Sequence, residues 1–340
     1  MRTALSEYGF LSAKLKTRLS KRLGKEFLDS LIRAKSLPEA VQLLKGSDYE
    51  DTLKVYNETG DLAMAEAAMN ARELQLYTEL YRFLKEPVLS FIKALSLRFE
   101  IEQVKAAVRL WFDAAVRGRS IAGKSGYLFQ GVIVNAYAPD ELVRAADIDG
   151  AIKAFGTTPY NAIASAELPK AVSERNLFDF ELALDRYFYR EALAAAARLG
   201  SKDRVIAERI LHADVDAQNE SRLLRYSGSS DKDVQTAVSA HLFIPYGKFY
   251  AELSRAGFKK DLLRLEKNPS GEVLSRSSEL ETAGRRALSK EADRSLGGYP
   301  FSIGIVLAYF VKRQEEIRTV MTALNAKYYS LPEDRVRRFL

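Results

Sequence analysis

The sequence predicts an all-α protein made of three related helical lobes set about a pseudo-threefold axis. Three observations carry this reading. Apolar residues recur at the three-and-four spacing of an amphipathic helix through almost every long stretch. No run of alternating strand residues stands out, and Val132-Ile133-Val134 is the only stretch with β character. Similar segments also return at spacings of 111 and 100 residues.

Taken in order, Tyr8, Leu11, Leu15, Leu19 and Leu23 form one apolar stripe, with Lys14, Lys16, Lys21 and Arg22 between them. This predicts an amphipathic basic helix over residues 1–20. Helices are then expected over 26–45, 61–84, 86–117, 140–155, 176–199, 203–226 and 301–328. A composition rich in Ala, Leu, Glu and Arg favours them. With 19 Gly and 9 Pro the breaks are few, and they fall between helices: Ser36-Leu37-Pro38, Pro139-Asp140, Thr158-Pro159, Pro245-Tyr-Gly247 and Gly297-Gly298.

The repetition is internal and ordered. At a spacing of 111, Ala40 meets Ala151, Val41 meets Ile152, Leu44 meets Phe155 and Tyr49 meets Tyr160. Glu141-Leu142 and Glu252-Leu253 obey the same spacing, whereas Phe180-Glu181…Arg186 and Leu280-Glu281…Arg286 differ by 100. Such a period is too long for a solenoid of short units. Three lobes around an axis leave a central depression in which a partner could seat. The expected division is a basic helix 1–20, repeat one at 21–117, a loop at 118–131, repeat two at 132–228 and repeat three at 229–340.

Composition excludes several chemistries. There is no Cys, so disulfides, thiol catalysis, iron–sulfur clusters and Cys-based zinc sites are ruled out. His212 and His241 are the only histidines, which excludes a three-His metal site. The longest clean apolar run, Ile303 to Val311, is too short to cross a bilayer. No signal-peptide pattern follows the basic N-terminus, so a cytosolic location is expected. Lys plus Arg exceeds Asp plus Glu by 52 to 45, and the excess lies at the ends. Residues 1–26 carry seven basic side chains against two acidic, and residues 312–340 seven against four. Basic ends on a near-neutral body suit an acidic partner as well as they suit ordinary solvated helix faces.

Candidate catalytic groups are thin. Gly118-Arg-Ser-Ile-Ala-Gly123-Lys124-Ser125 matches the phosphate-loop pattern by letter. That loop works between a strand and a helix that starts at its Lys, and here an amphipathic helix precedes it, so a basic inter-helix loop fits better. His212 is expected near a helix end, Trp111 in the core, and the aromatic sets Tyr187-Phe188-Tyr189 and Tyr328-Tyr329 in the core rather than stacked on bases.

Several segments resemble one family. Tyr8-Gly-Phe-Leu-Ser-Ala-Lys14 resembles the opening "YxYLNAR" of the C subunit of the A/V-type rotary ATPases, called the d subunit in eukaryotes. Phe99-Glu-Ile-Glu102-Gln103-Val-Lys105 is similar to its "YDVENLK", and Leu182 to Tyr189 to its "LE.ALDRYYY". Val215 to Arg225 is similar to "IDLLNIKTLLR", and Leu242-Phe-Ile244-Pro245-Tyr-Gly247 to "LIPGG". Pro300-Phe301-Ser302-Ile303-Gly304-Ile-Val-Leu307-Ala308-Tyr309 lies close to "PFSIGVVLAYL", followed by Glu316-Ile-Arg318 and a Leu331-Pro332-Glu333 tail. Gln103 and Thr319 stand where Asn is usual, Glu220 where an apolar residue is usual, and Val134-Asn-Ala136 lacks the Pro-Gly of the first such segment.

The resemblance implies an all-helical funnel of three lobes and a non-catalytic rotor part. Such a part couples the D and F subunits of the central stalk to the membrane proteolipid ring during ATP-linked proton or sodium transport. A membrane stator protein is a further candidate partner. It implies a peripheral position on the cytoplasmic face, no cofactor, no metal, no nucleic acid and no small-molecule substrate. Arg109, Arg186, Arg222, Arg225, Arg286 and Arg318 are expected on the polar inner wall, and Lys14, Arg18, Lys21 and Arg22 at a basic contact. Two alternatives stay open: a basic helical nucleic-acid-binding protein, whose binding would fall steeply with salt, and a nucleotide hydrolase using Lys124 and Ser125.

Overall fold

The computed structural model describes residues 4–121, 123, 128, 131–227, 286 and 288–339. Among them every regular element is helical. The first are α1 (Ala4–Ser20), α2 (Lys25–Arg33), α3 (Leu37–Gln42), α4 (Glu50–Thr59), α5 (Leu62–Thr78) and a single 3-10 turn at Tyr81–Phe83. There follow α6 (Val88–Ala115), α7 (Pro139–Arg144), α8 (Ile148–Lys153), α9 (Pro159–Glu174), α10 (Phe178–Ala197) and α11 (Ser201–Ser227). The last are α12 (Gly304–Tyr328) and α13 (Glu333–Phe339). The chain divides into two compact units, one of residues 1–43 with 196–340, the other of residues 44–195.

The all-α expectation holds, with differences in detail. The single helices expected over 26–45 and 140–155 are each two. Ser36 ends the first by capping α3: its backbone is extended at φ −147° and its hydroxyl accepts the Glu39 N–H at 3.3 Å. Asp147 ends the second in the same way, extended at φ −146° and accepting the Gly150 N–H at 2.8 Å. A capping oxygen competes with helix continuation, so residues of this type are stop signals inside an otherwise helical pattern. Helices α4, α9 and α13 were not read from the sequence. Val132-Ile133-Val134 forms no strand, because the Val134 N–H is taken by a carboxylate rather than by a neighbouring strand.

The 111-residue spacing is visible in local structure. Ser36 and Asp147 are the paired caps. Ala40 and Ala151, Leu44 and Phe155, and Tyr49 and Tyr160 are buried in both copies. Beyond each short helix the chain turns alike: the Ser47 hydroxyl donates to the Leu44 carbonyl at 2.6 Å, and the Thr158 hydroxyl to the Phe155 carbonyl at 2.7 Å.

In the unit of residues 44–195, α4 and α5 form a tight helical hairpin. Gly60, left-handed at φ 67°, ends α4, and Asp61 begins α5 by accepting the Ala63 N–H at 2.8 Å. The long α6 buries Phe91, Leu95, Val104, Val108, Trp111 and Phe112, and packs on α5 and α7. Trp111 lies in the core as expected, its indole N–H donating to the Ala145 carbonyl at 3.1 Å.

In the other unit α12 is the hub, with α1, α2, α3, α11 and α13 all packed against it. Its first ten residues, Gly304 to Arg313, are buried. Gly304 sits tightly: a Cβ would come within 3.2 Å of Ser302 Oγ and 3.3 Å of Ser295 Cβ, so these neighbours would have to give way slightly. On α1, which packs against it, Tyr8, Leu11 and Leu15 are buried, whereas Leu19 is half-buried, as is Leu23 beyond the helix.

Trp111→Ala should cost about 3–5 kcal/mol by emptying a close-packed site and orphaning the Ala145 carbonyl. Tyr328→Ala, at an exposed position, should shift stability by no more than about 0.5 kcal/mol. Urea unfolding of both variants reads the two values.

Candidate functional site

The basic residues singled out from the sequence divide by what they touch. On α1 the inner face is Tyr8, Leu11, Ser12 and Leu15, while Phe10, Lys16 and Lys21 are exposed. Lys14 sits 6.0 Å from the Phe10 ring centre, within cation–π range. Arg18 is half-buried. Arg22 is committed internally, its Nε donating to Glu316 Oε2 at 3.0 Å.

In the other unit, α6 and α10 face each other through a polar ladder. Arg98 donates to the Tyr189 hydroxyl at 3.1 Å and lies 4.7 Å from the Phe188 ring centre. Lys105, only 6% exposed, meets Asp185 at 2.5 Å and Glu102 at 2.8 Å. Arg109 makes a two-pronged pair with Glu181, at 2.6 and 2.7 Å. Its hydrogen bond to Glu181 is the main reason its pKa is raised. Tyr187, Phe188 and Tyr189 are buried core, as expected, and burial pushes the Tyr187 phenol up to about 12. Arg186 is half-buried on α10. Arg318, on α12, and Arg286 are exposed. The side chains of Arg222 and Arg225 lie outside the described residues, as do Lys124 and Ser125.

Two carboxylates escaped the sequence reading. Glu100, in the middle of α6 and 1% exposed, accepts from the Val134 and Asn135 N–H groups at 2.6 and 2.8 Å. Its other oxygen accepts from Asn135 Nδ2 at 2.8 Å and the Tyr160 hydroxyl at 2.6 Å. Burial, then the charge of Glu100, holds the Tyr160 and Tyr137 phenols far above their ordinary range. Asp203, near the start of α11, accepts from the Tyr8 hydroxyl at 2.8 Å and the Ile303 N–H at 2.9 Å. It thereby ties α1 to the entry of α12. The available signal was indirect: Glu100, Tyr8 and Ile303 all lie in segments marked for other reasons.

Other expectations change. Tyr328 and Tyr329 are not core but an exposed, edge-on pair with centres 4.9 Å apart, because α12 ends there. His212 lies within α11 rather than at a helix end. The segment before Gly118 is the helix α6, not the strand a phosphate loop requires, and Gly118 and Gly123 are left-handed turn residues. Among the described residues no acidic or His cluster could hold a metal ion, and no helix is long and apolar enough to cross a membrane.

Among the described residues the chain is helical throughout, and buried carboxylates hold several of its helix connections. The family of the ATP synthase (C/AC39) subunit matches residues 11–339, and the chain belongs to that family. It is similar to the C subunit of the A-type ATP synthase of Methanocaldococcus jannaschii, at 24% identity over 99% of this chain and 86% of that protein. It is similar also to the C subunit of the V-type ATP synthase of Deinococcus radiodurans, at 22% identity over 98% of this chain and 90% of that one.

Two measurements check the electrostatics. A double-mutant cycle on Arg109 and Glu181 should give a coupling of no more than about 1 kcal/mol, since Arg109 is half exposed to screening solvent. At Asp29 the hydrogen bond from Arg337, at 2.8 Å, leads the causes that hold its pKa below the ordinary carboxylate value. A depressed carboxylate contributes stability that is fully present above about pH 4 and is lost as pH falls through the lowered pKa. The protection factors of the α13 amides, corrected for the intrinsic exchange rate at each pH, should therefore fall in that acid range, and Asp29→Asn should remove the pH step.

Proposed function

We propose that this chain is the non-catalytic adaptor of an A/V-type rotary ATPase. It joins the D and F subunits of the central stalk to the membrane proteolipid ring and carries torque between ATP turnover and proton or sodium flow. The single observation behind this reading is the family match over residues 11–339, which leaves almost no part of the chain to another role. The all-helical build is in keeping with it: close-packed helices deform little under load. In this proposal the lobes are repeat one at 21–117, repeat two at 132–228 and repeat three at 229–340, around a funnel that receives the stalk foot. The chain would sit peripherally on the cytoplasmic face.

The partner-facing residues in the proposal are Arg186, Arg222, Arg225, Arg286 and Arg318 on the funnel wall, with Lys14, Arg18 and Lys21 at the basic N-terminal contact. Arg109 on the wall and Arg22 at the N-terminal contact belong to the same proposal, and each also bonds a carboxylate of its own unit. Exposed ion pairs give about 0–1 kcal/mol each, so a firm grip requires several acting together.

Affinity purification of the tagged chain from detergent-solubilised membranes should recover the proteolipid together with both stalk proteins. Recovery of neither would overturn the proposal. The double charge reversal Arg222→Glu and Arg225→Glu should weaken stalk binding at unchanged melting temperature, and full binding by that variant would remove these two residues from the contact.

A further inference from the structure

Two glutamates in different units perform the same task at the same place in equivalent helices. Glu100 is the thirteenth residue of α6, which begins at Val88, and Glu316 the thirteenth of α12, which begins at Gly304. Both are 1% exposed. Glu100 accepts the backbone N–H of Val134 at 2.6 Å, and Glu316 accepts that of Leu23 at 3.0 Å. Leu23 and Val134 are 111 residues apart, the spacing that also relates Ser36 to Asp147, Leu44 to Phe155 and Ser47 to Thr158. After each latched residue the chain runs into a helix, α2 or α7, then a capped short helix, α3 or α8.

We infer that Glu100 and Glu316 are equivalent latches, each fixing the opening turn of one repeat to the long helix of another. The long helix of repeat one holds the opening of repeat two. The opening of repeat one is held by α12, the long helix of repeat three, although nearly 300 residues separate Arg22 from Glu316. The last long helix of the chain thus serves the first repeat as α6 serves its own successor.

The two copies differ in how the charge is met. Glu100 is surrounded by neutral donors, two backbone N–H groups, the Asn135 amide and the Tyr160 hydroxyl. Glu316 faces two guanidinium groups, Arg22 Nε at 3.0 Å and Arg313 at 3.6 Å. Both arrangements supply the donors that a buried carboxylate needs. The Leu23 N–H, having left α1, has no helical carbonyl to bond and takes the carboxylate instead.

The test is amide hydrogen exchange on the full chain. Glu316→Gln keeps the shape but presents one acceptor and one amide donor where two acceptors stood. The Leu23 amide should exchange about tenfold faster or more, as expected for losing a hydrogen bond to a charged group. The amides of Val134 and Asn135 should not change. Glu100→Gln should do the reverse. Glu102→Gln, an exposed neighbour on α6, should change neither. A Leu23 amide as protected in Glu316→Gln as in the wild type overturns the inference. So does a uniform acceleration through the whole unit, which would make Glu316 a general stabiliser and no latch. Should Glu316→Gln fail to fold, Glu316→Asp, whose shorter arm keeps the charge, gives the same reading at Leu23.

Discussion

A helix satisfies its own backbone, but the connections between helices do not. Each N–H group that leaves a helix and stays buried must find an acceptor or cost a few kcal/mol. In a fold without strands among its described residues, no ladder exists to supply one. Here side-chain carboxylates take that part. Glu100 serves the connection after α6, Glu316 the connection after α1, and Asp203 the entry of α12. Ser36, Asp61 and Asp147 do the same for helix starts nearer the surface. The path of the chain between helices is thus set by a small number of acidic and hydroxyl side chains, and the apolar faces only have to be mutually compatible.

This explains the uneven legibility of the sequence. Long helices were readable because their signal is local: the stripe of Tyr8, Leu11 and Leu15, or the apolar run from Ile303 to Val311, repeats within a few residues. The break at Ser36-Leu37-Pro38 was legible in residue type, whereas the one at Asp147 was overrun, because the apolar spacing on either side stays in phase. The partners of Glu100, Glu316 and Asp203 were not legible at all. Their bonds span 34 to 294 residues, and nothing local distinguishes a buried glutamate from the solvated ones around it. Tyr328 and Tyr329 failed in the other direction, since an aromatic pair at helical spacing reads as core wherever the helix happens to end.

The candidate partner residues show a related limit. Sequence can select arginines by recurrence, but it cannot say which are already engaged. Arg109 and Arg22, for instance, are bound to carboxylates of their own units. Family membership supplies what neither pattern nor geometry does, namely that the chain works inside an ATP synthase.

The position of α12 has a consequence for how the protein is made. The helix that organises α1, α2, α3 and α11 is built from residues 304–328, so its clients are synthesised long before it. At about 5–20 residues per second, α1 emerges roughly 15–60 s ahead of the surface it will cover. The unit of residues 44–195 is contiguous and can close as soon as it clears the ribosome. The other unit must keep Tyr8, Leu11 and Leu15 from aggregating until α12 arrives. Chaperone dependence during translation should accordingly concentrate in the N-terminal helices, and truncations that remove α12 should leave an insoluble remainder even though most of the chain is intact.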